Sequence, residues 1–143
     1  MSNFKSVILV DDDEDDRMVF RDIVHSVYPN IIFNDFNSAD ASLAFLECDH
    51  IMKPDLIFMD VNMPVKDGFF LLRYLRKREY LRDIPVIMFS TSSDPEDIEQ
   101  ARKLGAVGYA VKPSEVAKLT DIIKIVSERI LYTTSPDENL VLL

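Results

Sequence analysis

Leu56-Ile57-Phe58-Met59-Asp60-Val61-Asn62-Met63-Pro64 is the stretch whose reading decides the fold. Four apolar residues run without alternation, and a carboxylate and an amide follow at once. A strand with one solvated face alternates in polarity. An unbroken apolar run suits a strand covered on both faces, as in a parallel sheet packed between helices. Four comparable runs lie to either side, at Val7 to Val10, Ile31 to Phe33, Val86 to Phe89 and Gly108 to Val111.

The intervening segments carry helical spacing. Phe20, Ile23, Val24 and Val27 share one face of the first, Ala39, Leu43 and Leu46 of the second, and Leu71, Leu72 and Leu75 of the third. A fourth helix opens at Ser93-Asp94-Pro95-Glu96, where a capping side chain, a first-turn proline and an acid coincide. Ile98, Ala101 and Leu104 follow, and Gly105 ends it. Val116, Leu119, Ile123, Val126 and Ile130 mark the stripe of a fifth. Strand and helix alternating five times predict a doubly wound α/β sheet.

At 143 residues and 48% hydrophobic content the chain makes one domain, residues 1–132, followed by a flexible tail, 133–143, whose apolar tip is able to dock. Sixteen basic against 25 acidic residues leave a net charge of -9, which disfavours direct contact with nucleic acid or an anionic membrane. The single cysteine, Cys48, permits no internal disulfide and reads as a packing residue. His25 and His50 have no partner at metal-ligand spacing and read as structural or exposed. With no signal-peptide run or spanning stretch in sight, a cytoplasmic location is expected.

Ligands of open parallel sheets bind beyond the carboxyl ends of the strands. Asp11-Asp12-Asp13 stands at that end of the first strand, Asp60-Val61-Asn62 of the third, Ser90-Thr91 of the fourth and Lys112-Pro113 of the fifth. Clustered carboxylates repel unless a cation relieves them, and Mg²⁺ suits a few carboxylates with several waters. A cation and a lysine beside one protruding carboxylate form a phosphoryl-transfer arrangement. Asp13, Glu14, Asp15 and Asp16 read instead as cap and dipole complement of the first helix.

Val10-Asp11-Asp12, then Met59 to Pro64 with Asp67-Gly68, then Gly108 to Pro113 resemble the receiver domain of two-component response regulators, over roughly Lys5 to Leu131. The resemblance implies a flavodoxin-like five-stranded sheet of order 2-1-3-4-5. It implies Asp60 as phosphoacceptor, Asp12 and Asp11 as ligands of Mg²⁺ (or Mn²⁺) together with Asp60 and the Asn62 carbonyl, and Lys112 as partner of Asp60 and then of the phosphoryl group. Ser90 matches the hydroxyl that turns to the phosphate, and Tyr109 an aromatic switch, although a half-buried structural ring reads as well there. Asn62 and Ser92 occupy the positions that tune the lifetime of the acyl phosphate. Pro113 implies a preceding cis bond. Ser90 and Thr91 replace the commoner threonine and small residue, and the Arg78 to Asp83 segment resembles that of stand-alone regulators paired with phytochrome-type kinases.

A stand-alone, non-enzymatic response regulator is thus expected, phosphorylated by a sensor histidine kinase or phosphotransfer protein. It would signal through a downstream protein and pair with itself through the fourth helix, fifth strand and fifth helix. Other readings are a phosphorylation-independent interaction module of the same fold, an aspartate-nucleophile phosphatase and a flavodoxin-like cofactor binder. The phosphatase pattern calls for a second aspartate where Asn62 stands. The cofactor binder calls for a neutral phosphate loop where the chain has Asp11 to Asp16.

Overall fold

A computed structural model describes residues 4–48, 52–129 and 140–143. The apolar runs become strands β1 (Ser6–Val10), β2 (Ile32–Phe36), β3 (Leu56–Met59), β4 (Val86–Ser90) and β5 (Gly108–Val111). Helices α1 (Glu14–Val27), α2 (Ala39–Leu46), α3 (Gly68–Lys77), α4 (Pro95–Lys103) and α5 (Val116–Arg129) alternate with them. The sheet order is β2-β1-β3-β4-β5, every pair parallel, as the flavodoxin-like expectation requires.

A sixth strand, β6 (Val141–Leu142), corrects the count of five. It adds in parallel to β5, with Val141 N–H on Val107 O at 3.0 Å and Leu143 N–H on Tyr109 O at 2.9 Å. The tip of the tail therefore lies along the outer edge of β5, which is part of the face expected for self-association. Leu140 and Leu143 explain the docking, since each packs against one of the two apolar layers.

The sheet separates those layers. Alternate side chains of β1, β3 and β4 (Ile8, Ile57, Met59, Val86, Met88) meet Leu46 of α2, Leu71, Leu72 and Leu75 of α3 and Ala101 of α4. Their neighbours Val7, Leu9, Phe58, Ile87 and Phe89 meet Phe20, Ile23 and Val24 of α1 and Leu119, Ile123 and Val126 of α5. β1, β3 and β4 are buried throughout, the property read from their unbroken apolar composition. β2, with one neighbour only, keeps intermediate and exposed positions and holds Asn34 and Asp35 inside the strand rather than after it.

Local signals account for the helix ends. Asp13, Ser38, Asp67 and Asp94 cap α1 to α4, each side chain accepting a first-turn N–H, and Gly105 closes the α4 turn at φ 92°. Two packing expectations fail. Val116 begins α5 exposed, and Cys48 is exposed just beyond the Glu47 cap of α2. His25 is exposed at the side of the Phe33 ring, while His50 and Ile130 lie outside the described residues. All described peptides are trans, Lys112–Pro113 included, which corrects the cis expectation. Lys112 is held to the sheet edge in another way, by its own N–H on Ser90 O at 2.7 Å.

Candidate functional site

The strand register sets the site. Val10 pairs with Met59, and the ladder runs one step further through Asp60 N–H on Val10 O at 2.8 Å. Asp11 and Asp60 consequently leave adjacent strands at the same height. Ser90 pairs with Val111 in β5, so Lys112 rises one residue beyond it. Four strands deliver polar side chains to one sheet edge.

Asp11, Asp12 and Asp60 converge, each offering one carboxylate oxygen within 4.8 Å of the other two. Asp11 and Asp60 are buried and Asp12 is exposed at the mouth. The Lys112 ammonium donates to Asp11 Oδ2 at 2.8 Å, Asp16 Oδ2 at 3.0 Å and Asp60 Oδ2 at 3.2 Å, with Phe89 beneath it at 5.5 Å from the ring centroid. On its other oxygen Asp60 accepts the Asn62 N–H at 3.1 Å.

Burial pushes the Asp60 carboxyl up from 3.8 to about 6; the Lys112 charge and the Asn62 N–H pull it down, and Asp11 adds to the rise. Burial works against the Lys112 ammonium too, but hydrogen bonds to Asp11 and Asp16 and the charges of Asp11 and Asp60 leave it raised. Burial decides the direction at Asp60, and the hydrogen bonds to Asp11 and Asp16 decide it at Lys112. Of the three acids that Lys112 meets, Asp60 is the most distant, at 3.2 Å.

Three carboxylate oxygens within reach of one point, one of them solvent-facing, are a donor set that fits a hard divalent cation. The Asn62 carbonyl belongs to the same loop. That loop is held by an unusual approach: a Cβ on Gly68 would stand 2.2 Å from the Asp60 carbonyl oxygen, so only glycine allows α3 to start here. The loop also carries Val65 at φ 69° with its side chain 99% exposed, a costly conformation for a β-branched residue.

Ser90 and its neighbours form the second half of the site. The Ser90 hydroxyl accepts the Ser92 N–H at 3.0 Å and lies 3.5 Å from Asn62 Nδ2. Ser92 Oγ donates to Asp97 Oδ2 of α4 at 2.8 Å. Tyr109 is buried rather than half-buried, and its hydroxyl donates to Ser92 O at 2.9 Å. The ring already lies in the interior layer.

Two residues escaped the sequence reading. Asp16 reaches Lys112 instead of serving only the α1 dipole. Arg17 ties the loop down, donating to Asp11 O at 2.8 Å and Asp35 Oδ2 at 3.0 Å. The available signal was that side chains in a helix tilt towards its N-terminus, which aims first-turn residues back over the strand end.

Residues 7–124 match the family model of the response regulator receiver domain. The chain belongs to this family. As a receiver domain it is 33% identical over 121 residues to the polar-differentiation response regulator DivK of Brucella ovis, covering 84% of this chain and 94% of that protein. It is 33% identical over 116 residues to the chemotaxis protein CheY-3 of Vibrio cholerae, covering 81% and 89%. A crystal structure of the phosphorylated cyanobacterial phytochrome response regulator RcpA superposes with a TM-score of 0.81 at 25% identity, over 92% of this receiver domain and 99% of that chain. Among the described residues no helix is long and apolar enough to cross a membrane.

Proposed function

We propose that this receiver domain accepts a phosphoryl group on Asp60 from a phosphohistidine of a sensor histidine kinase or phosphotransfer protein. The observation that carries the reading is the meeting of Asp60 with Lys112 at 3.2 Å beside the oxygens of Asp11 and Asp12. Asp11, Asp12, Asp60 and the Asn62 carbonyl would hold Mg²⁺, or Mn²⁺. When bound, the cation supplies charge neutralisation for the phosphoryl oxygens and for the crowded acids.

The remaining roles fall to the chain's own groups. An Asp60 oxygen attacks phosphorus; the O–P bond forms as the P–N bond breaks, and the imidazole nitrogen keeps the electron pair and takes a proton. Lys112 moves its Asp60-directed N–H onto a phosphoryl oxygen. Ser90, already hydrogen-bonded to Ser92, turns its hydroxyl to another. Water later attacks phosphorus, the O–P bond breaks, and Asp60 returns as a carboxylate with release of inorganic phosphate. Asn62 and Ser92 flank the phosphoryl position and tune that step.

Because Tyr109 is already inside and donates to Ser92 O, the switch we assign to it is a tightening of the Ser90–Ser92–Tyr109 chain that loads α4 through Asp97. The phosphorylated form then engages a partner protein through α4, β5 and α5. The two regulators named above, each matched over nearly its full length, support a receiver domain acting in this way. Intact-mass measurement after acetyl phosphate and Mg²⁺ tests the reading. Wild type gains one phosphoryl group and Asp60→Asn gains none; equal labelling of both refutes it.

A further inference from the structure

We propose that Asp16 is a positioning residue that competes with the phosphoryl group for Lys112 and so weakens the phosphorylated state. The inference rests on the phosphoacceptor reading of Asp60 and concerns how strongly that state is held.

An ammonium has three N–H donors. In this site all three are committed to carboxylates: Asp11 at 2.8 Å, Asp16 at 3.0 Å and Asp60 at 3.2 Å. Asp11 is fully buried and Asp60 nearly so, while the Asp16 side chain is 44% exposed. Asp16 is therefore the acid on the solvent side of the lysine, the side from which a phosphoryl donor approaches.

Capping does not explain its carboxylate. Asp13 is the cap of α1 and takes the Asp16 N–H on its own side chain, leaving the Asp16 carboxylate to Lys112. Nor does the metal-type cluster, which is formed by Asp11, Asp12 and Asp60. Asp16 acts on the site through the lysine.

A phosphoryl group on Asp60 presents oxygens that need Lys112. One of them takes the Asp60-directed N–H. Asp16 opposes the rest twice, by holding a second N–H that another phosphoryl oxygen would accept and by adding a negative charge beside an incoming anion. Both effects have the same sign, so removing the carboxylate strengthens anion binding. A charge-assisted hydrogen bond to a half-exposed partner corresponds to roughly tenfold in affinity.

The test uses beryllofluoride as the phosphoryl probe, titrated into the Mg²⁺-loaded protein and followed by ¹⁹F NMR. Asp16→Asn is expected to bind it about tenfold more tightly than wild type, with Mn²⁺ affinity in fluoride-free buffer within about twofold. Asp16→Glu, which restores an acid within reach of Lys112, returns towards wild type. Asp15→Asn, the same charge change on the adjacent exposed residue, leaves affinity where it was. Asp16→Ser repeats the measurement with a different short polar side chain should the amide perturb folding. Equal or weaker binding by Asp16→Asn overturns the proposal, as does an equal gain in Asp15→Asn, which makes the effect one of overall charge. Failure of wild type to bind beryllofluoride at all overturns the phosphoacceptor reading itself, and this inference with it.

Discussion

Replacing Asp60 by asparagine should stabilise the metal-free protein, by an amount that grows with pH. The Asp60 carboxyl is raised from 3.8 to about 6, chiefly by burial, and the Lys112 charge and the Asn62 N–H recover only part of that cost while the Asp11 charge adds to it. A raised acid binds more protons in the folded than in the unfolded state between these two values. Stability contributed by this group is thus present at low pH and is lost as pH rises from about 3.8 through about 6. Asparagine has the shape of the protonated acid and no titration. Linkage then gives a gain for Asp60→Asn of about 2 kcal/mol at pH 5 and about 3 kcal/mol at pH 8, a widening of roughly 1 kcal/mol. Urea unfolding of both proteins in chelator at the two pH values measures it directly, and the variant's melting point at pH 8 should stand several degrees higher. Saturating Mg²⁺ should close the gap by stabilising wild type alone. A gap that stays constant or shrinks from pH 5 to pH 8 would refute the argument. It would mean that Lys112 and the Asn62 N–H outweigh burial at Asp60.

Other substitutions probe the frame around the site. Gly68→Ala should cost at least about 2 kcal/mol in urea unfolding and slow acetyl phosphate labelling, because the added methyl meets the Asp60 carbonyl at 2.2 Å and the Met88 methyl at 2.9 Å; unchanged stability would contradict the close approach. Val65→Asn should raise stability by about 1 kcal/mol by relieving the left-handed backbone at φ 69° without disturbing a side chain that is already in solvent. A lower unfolding midpoint would count against that strain. Arg76→Ala should cost about 2–4 kcal/mol, since its guanidinium alone serves Gly105 O at 2.9 Å, Arg82 O at 3.0 Å and Ile84 O at 2.9 Å. Arg76→Lys should recover only part, because one ammonium does not span carbonyls on both sides of the α3 terminus.

What was legible in the sequence divides along physical lines. The central strands announced themselves because burial on both faces demands unbroken apolar runs, and the residues just past them were bound to gather at one edge. That rule alone brings Asp11, Asp12, Asp60, Ser90 and Lys112 together as candidates at that edge. The apolar run at Ile31 to Phe33 starts one residue before β2 and stops three short of its end, since an edge strand tolerates Asn34 and Asp35 and so breaks the rule that worked elsewhere. The two-residue β6 is too short to carry any pattern; its place depends on Leu140 and Leu143 finding the apolar layers. Asp16 was read as an ornament of the helix dipole. Its reach to Lys112 needs the backward tilt of a first-turn side chain together with the place of β5 in the sheet, 96 residues further along the chain.

The last four residues have a consequence for what else can approach the molecule. The rim of a sheet is a row of idle main-chain donors and acceptors, open to any extended peptide that drifts alongside. Here the chain lays its own end across that rim, occupying the carbonyls of Val107 and Tyr109. A visitor seeking to lengthen the sheet at this margin must first peel away Leu140 to Leu143, and in doing so lifts two leucines from the layers on the two faces of the sheet.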